Sequence, residues 1–175
     1  MQTYLNSTAQ LVASSIDTVV ISVGSTEQCG PCLPFHLDTL VAAYVARAWG
    51  EAVNGYVLPT LPFNTSEEHS AFVGTVTLRP RTIMLVLEEI VAGLRRQGFR
   101  KQVLTVGHDG SWWMGAFIKD MNWRYDDIVL FNAHEGADPI WAEAVRRAGL
   151  PEGEIHGGVL SRALAGFLAP ASVSE

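Results

Sequence analysis

The sequence predicts an α/β fold, a three-layer αβα sandwich around a mainly parallel sheet. Three observations predict it. Short β-branched runs alternate along the chain with segments of helical hydrophobic period. The strand runs are apolar along their length, as strands covered on both faces are. The chain has 175 residues, 48% hydrophobic and 17% charged, which suits one domain over 1–175 with a sizeable core and no need of disulfide staples.

The elements follow in order. Asp17 to Gly24 is a Val/Ile-rich run closed by glycine and reads as a buried strand. A polar loop from Ser25 to Asp38 leads into an Ala-rich amphipathic stretch, Thr39 to Gly50, expected to be a helix with Asp38 or Thr39 near its N-cap. Tyr56 to Pro59 is a brief second strand. A long loop, Asn64 to Gly74, precedes a short edge element at Thr75 to Leu78. Arg81 to Gln97 places Ile83, Val86, Leu87, Ile90, Val91 and Leu94 at helical spacing, and Gly98 closes it. Gln102 to Gly107 is the third strand, with a helix starting at Ser111. Asp127 to Phe131 is the fourth, and helices are expected over Pro139 to Ala148 and Val159 to Leu168.

Charge and hydropathy exclude several function classes. The net charge is −6, and the only basic cluster, Arg95, Arg96, Arg100 and Lys101, sits where it complements a helix C-terminus. Neither nucleic acid nor an anionic membrane is an expected partner. No apolar run reaches the roughly 18 residues of a membrane span, and Met1 to Gln10 lacks signal-peptide features, so a cytoplasmic protein is expected.

Ligands in such folds bind beyond the carboxyl ends of the strands. Strand one runs into Glu27, Cys29, Cys32, His36 and Asp38; strand three into His108 and Asp109; strand four into Asn132, His134 and Glu135; and His156 precedes the last helix. Carboxylates and imidazoles suit Zn or Mn, and a thiolate favours Zn. The alternative is that Asp38 only caps a helix and Glu27 is solvated. Cys29-Gly-Pro-Cys32 also spells a dithiol motif, but Pro34 comes too early for the helix that would activate its first thiol.

The loop Gly24-Ser-Thr-Glu27-Gln-Cys29-Gly-Pro-Cys32-Leu-Pro-Phe-His36-Leu-Asp38-Thr39 resembles the signature of the creatininase family, Gly-Ser-x-Glu-Gln-His-Gly-Pro-His-Leu-Pro-Leu-x-x-Asp-Thr. Val57 to Phe63, Ser66 to Thr75, Gly98 to Ser111 and His156-Gly-Gly158 are similar to further family segments, in the family's order. The resemblance implies a metal-dependent hydrolase acting on a C–N bond of a small amide, lactam or cyclic guanidino compound. It implies Glu27, Asp38 and His108 as ligands of one divalent metal, Zn or Mn with Fe as a further option. The family's second metal uses positions occupied here by Cys29 and Gly110, so one site is expected rather than two, with Cys29 completing the set or touching a second ion. Cys32 replaces a second family histidine, and Ser161 stands where the family has a late glutamate. His156 and Cys29 are the candidate catalytic residues, His156 as proton donor or oxyanion stabiliser. His36, Glu68, Asp109 and Trp112 are candidate substrate-binding residues. The family also implies a small-molecule substrate and a homo-oligomer, commonly a hexamer. A relative that only binds a ligand, or that performs non-hydrolytic biosynthetic chemistry, is the alternative.

Overall fold

A computed structural model describes residues 1–134, 142–143, 145–150 and 156–174. Its centre is a five-stranded sheet of β1 (Gln2–Thr3), β2 (Thr18–Val23), β3 (Tyr56–Val57), β4 (Lys101–Val106) and β5 (Val129–Asn132). The order across the sheet is β1-β3-β2-β4-β5 and every pairing is parallel. The long central pair, β2 and β4, runs in register from Thr18 opposite Lys101 to Val23 opposite Val106.

Alternation along these two strands builds two cores. Val19, Ile21, Val23, Leu104 and Val106 face α3 (Pro80–Arg96) and α4 (Met114–Arg124), packing with Ile83, Leu87, Val91, Phe117 and Met121. Val20 and Val103 point the other way, onto Ala46 of α2 (Leu37–Ala52). The last helix, α5 (Val159–Leu168), lies against α2, with Phe167 edge-on to Tyr44. Helices thus cover both faces. Leu87 is fully buried, and truncating it to Ala costs about 2–5 kcal/mol.

Several local expectations are corrected. The N-terminal stretch carries β1 and a short helix, α1 (Thr8–Ser14), which the periodicity did not reveal; Ser7 and Gln10 form its capping box, and Leu11 packs against the main core. Helix α2 starts two residues earlier than expected, and its N-cap is His36, with no side-chain cap. Asp38 therefore lies inside the first turn. Helix α4 begins at Met114 rather than Ser111, because the Ser111 hydroxyl accepts a hydrogen bond from Asn64 Nδ2 instead of capping. Thr75 to Leu78 forms no strand; two isolated bridges, Thr26 with Val76 and Asn64 with Thr77, tie it down. Of the helix expected over Pro139 to Ala148, Ala142, Glu143 and Val145 to Arg147 are helical, while Pro139, Ile140, Trp141 and Ala144 lie outside the described residues, as does Glu135.

Two glycines bring α2 hard against the sheet. A Cβ on Gly24 would lie 2.3 Å from the Thr39 Cα, and one on Gly107 would lie 2.2 Å from the Asp38 carbonyl oxygen. Only bare backbone at the ends of β2 and β4 lets the first turn of α2 sit there. That contact sets Asp38 between the two strand ends. Among the described residues, no helix is long and apolar enough to cross a membrane.

Candidate metal centre

Glu27 leaves the end of β2, Asp38 enters from the first turn of α2, and His108 follows β4. One ligand atom from each lies within 4.8 Å of the others. His108 Nδ1 is 3.2 Å from Glu27 Oε1 and 3.2 Å from Asp38 Oδ2. His108 Nε2 lies 2.5 Å from the Thr65 carbonyl, which can only accept, so Nε2 donates there and Nδ1 is the nitrogen turned to the carboxylates. The Ser25 hydroxyl donates to Asp38 Oδ2 at 2.7 Å. These contacts fix the orientations of the His108 ring and the Asp38 carboxylate.

The electrostatics are unbalanced without a cation. The Glu27 side chain is 1% exposed and neither of its oxygens receives a well-aligned hydrogen bond. Burial pushes its carboxyl upward, but His108 and Ser66 outweigh that and hold it below its ordinary range. Burial pulls the His108 imidazolium down, yet Asp38 and Glu27 raise it to about 10. Two carboxylates facing one imidazole nitrogen, with buried oxygens unsatisfied, is a donor set that a divalent cation completes.

A second group surrounds the same glutamate. His69 Nε2 and His156 Nδ1 lie 3.8 and 3.7 Å from Glu27 Oε1. Their rings stack with centroids 4.1 Å apart and planes 18° apart. His69 arrives because the bridges at Thr26 and Asn64, together with the Gln28 amide donating to Thr75 Oγ1, clamp its loop over the first loop. His156 arrives because Gly157 packs on the Cys29 backbone.

Cys29 is 2% exposed and packs with Leu37 and Ala165; its Sγ lies 3.8 Å from the Glu27 carbonyl, and it belongs to neither donor group. Burial, with Asp38 and Glu27 nearby, pushes its thiol up to about 12. Cys29 and Cys32 are not joined by a disulfide. Asp109 and His36 are exposed and outside both groups. Trp112 is 74% exposed, whereas Trp113 is buried and its indole N–H reaches Asn64 Oδ1. Glu68 is exposed, but its Oε1 lies 2.9 Å from where a Gly110 side chain would begin.

The sequence reading left His69, Asn64 and Thr65 out of the site. Asn64 is fully buried and takes up Trp113, Ser111 and the Thr65 amide; Thr65 holds both His108 and the Gly110 carbonyl. Only the Glu-His pair within the Ser66 to Thr75 segment signalled His69. Nothing local marked Asn64 or Thr65, whose roles come from contacts with a distant loop.

Residues 5–175 match the family model for creatininase, described as creatinine amidohydrolase. A mycofactocin precursor peptide peptidase from Mycobacterium tuberculosis is 28% identical over 178 residues, covering 96% of this chain and 65% of that protein. A 3-dehydro-scyllo-inosose hydrolase from Thermotoga maritima is 31% identical over 137 residues, covering 70% of this chain and 44% of that one. The chain thus spans less than two thirds of the length of these curated relatives. A crystal structure of creatinine amidohydrolase superposes with a TM-score of 0.80 at 25% identity, covering 98% of this chain and 74% of that one.

Proposed function

The chain belongs to the creatininase family, and from that premise we propose that it is a metal-dependent hydrolase cleaving a C–N bond in a small amide, lactam or cyclic guanidino compound. The observation that carries this reading is the buried Glu27 carboxylate, which receives no well-aligned hydrogen bond and faces His108 Nδ1 beside Asp38.

Glu27, Asp38 and His108 are the proposed ligands, and their two oxygens and one nitrogen suit Zn or Mn, with Fe as a further option. When bound, such an ion lowers the pKa of a water molecule toward neutrality and polarises an amide carbonyl. The protein supplies the rest. Thr65 and Ser25 hold His108 and Asp38 so that little reorganisation is needed. His156, at the rim with Nδ1 toward Glu27, takes a proton from the attacking water and passes it to the leaving nitrogen. Glu68, Asp109, His36 and Trp112 are the proposed substrate contacts, and Cys29 supports the Glu27 backbone. A homo-oligomer remains part of this proposal.

One observation favours a second reading. Cys29 turns into an apolar cluster and Gly110 has no side chain, so positions that serve the family's second ion offer no donor here. Under that reading the pocket binds its ligand without turnover. Metal content per subunit, followed by an amide and lactam screen of the loaded protein, decides. A bound ion with turnover supports the hydrolase; a bound ion with ligand binding but no turnover supports the second reading; no metal uptake overturns the proposed centre.

A further inference from the structure

His69 and His156 approach the same Glu27 oxygen as His108 does, yet they share no other residue with the first donor set. We propose that Glu27, His69 and His156 hold a second divalent cation, with the Glu27 carboxylate shared between two ions. The proposal depends on the hydrolase reading only through that shared glutamate.

Four observations carry it. First, one ligand atom from each of the three residues lies within 4.8 Å of the others, a span that one ion can bridge. Second, both Glu27 oxygens are buried without a well-aligned hydrogen bond, and a carboxylate with about four lone-pair directions has room for two cations. Third, His156 repeats the arrangement of His108. Its Nε2 lies 2.6 Å from the Gln28 carbonyl, which can only accept, so the proton sits on Nε2 and Nδ1 turns a lone pair to Glu27. A lone pair facing a buried carboxylate is repulsive until a proton or a metal ion lies between them. Fourth, the rings stack at 4.1 Å, which brings His69 Nε2 and His156 Nδ1 together to the same Glu27 oxygen.

This donor set is not the one the family pattern supplies. The position matching the family's first histidine is Cys29, whose thiol faces Leu37 and Ala165, and the acidic position is Gly110. Two imidazoles and a shared carboxylate select Zn²⁺ over Mg²⁺ or Ca²⁺.

The Gln28 side chain controls the site's strength. Its Oε1 accepts the Gly30 N–H at 2.9 Å, which turns its Nε2 to His69 Nδ1 at 3.0 Å. In that orientation the amide donates to Nδ1 and His69 keeps its proton on Nε2, the nitrogen facing Glu27. Zinc binding moves that proton to Nδ1 and turns the amide over, at the cost of the Gly30 contact. The second ion therefore binds more weakly than the first. Once bound, it occupies the His156 nitrogen assigned to proton transfer, so excess zinc inhibits the proposed hydrolysis.

The test is calorimetric titration of the metal-free full chain with Zn²⁺, with elemental analysis of the loaded protein. Two events are expected, one tight and one weaker. Asp38→Ala removes the tight event and keeps the weaker one, while His69→Ala and His156→Ala each remove the weaker one alone. Gln28→Glu, whose oxygens accept from both Gly30 N–H and His69 Nδ1–H, tightens the weaker event by about tenfold or more, and that gain vanishes in the Gln28→Glu/His69→Ala double variant. One event lost only in Asp38→Ala overturns the second site and leaves the hydrolase reading standing. Two events that both survive His69→Ala and His156→Ala overturn the ligand assignment. No zinc binding at all overturns both readings.

Discussion

Nδ1 of His108 lies 3.2 Å from Oε1 of Glu27, at the carboxyl ends of the two central strands. The contact joins a buried acid to a buried base that also meets Asp38 Oδ2 and the Thr65 carbonyl. Much of the site's behaviour follows from it.

A protein that stores a proton on His108 must release it to bind metal. With its folded value raised to about 10 against an ordinary 6.5, His108 is protonated near neutral pH in the metal-free chain. Zinc binding at pH 7–8 is expected to expel about one proton, and affinity to rise with pH until about 10. Calorimetry in buffers of different ionisation enthalpy counts the proton; a count near zero contradicts the assignment. In the metal-free chain, the stability supplied by this raised group is complete below pH 6.5 and lost as pH rises through about 10. Glu27 is lowered, so its contribution is present above its ordinary 4.5 and is lost as pH falls further.

Ser25 touches no proposed ion but donates to Asp38 Oδ2. Ser25→Ala is expected to weaken the tight zinc event by about 10–100-fold while leaving the fold intact. Equilibrium competition with a chromogenic chelator measures it, and an unchanged affinity means Asp38 needs no such support.

Gly110 is a steric requirement. A Cβ there would fall 2.2 Å from His108 Nε2 and 2.9 Å from Glu68 Oε1. Gly110→Ala is expected to displace the imidazole from Thr65, weaken zinc binding at least tenfold and cost about 1–3 kcal/mol of stability. Restoring an acidic residue by Gly110→Glu is expected to damage the centre in the same way. Thermal unfolding with and without zinc checks both; wild-type affinity in Gly110→Ala refutes the packing argument.

Cys29 is inaccessible and its thiol is pushed up to about 12. Alkylation of Cys29 at pH 8 is expected to be slow in the native protein and fast after unfolding, because the thiolate is the reactive form. Mass-resolved labelling reads this directly, and rapid native labelling would revive dithiol chemistry. Cys29→His forces a larger ring among Leu37 and Ala165, so it is expected to destabilise by about 1–3 kcal/mol rather than add a ligand.

What the sequence determined by itself was local. Val19 to Val23 and Val103 to Val106 read as buried strands because β-branched runs carry that information within a few residues. Parallel pairing followed from alternation with helices, and the strand ends located Glu27, Asp38 and His108 because loops at that edge converge. The short β1, with only Gln2 and Thr3, gave too brief a pattern to read. The tertiary structure alone decided the rest. It turned Cys29 inward and left Trp112 outside while burying Trp113, since the side of a loop or turn that a residue faces depends on its distant neighbours. It also brought His69 and His156 into a stack over Glu27, from loops far apart in the chain, through bridges at Thr26 and Asn64 and the packing of Gly157 on Cys29. Contacts between segments distant in sequence leave no periodicity in either one, so only the folded backbone states which of them meet.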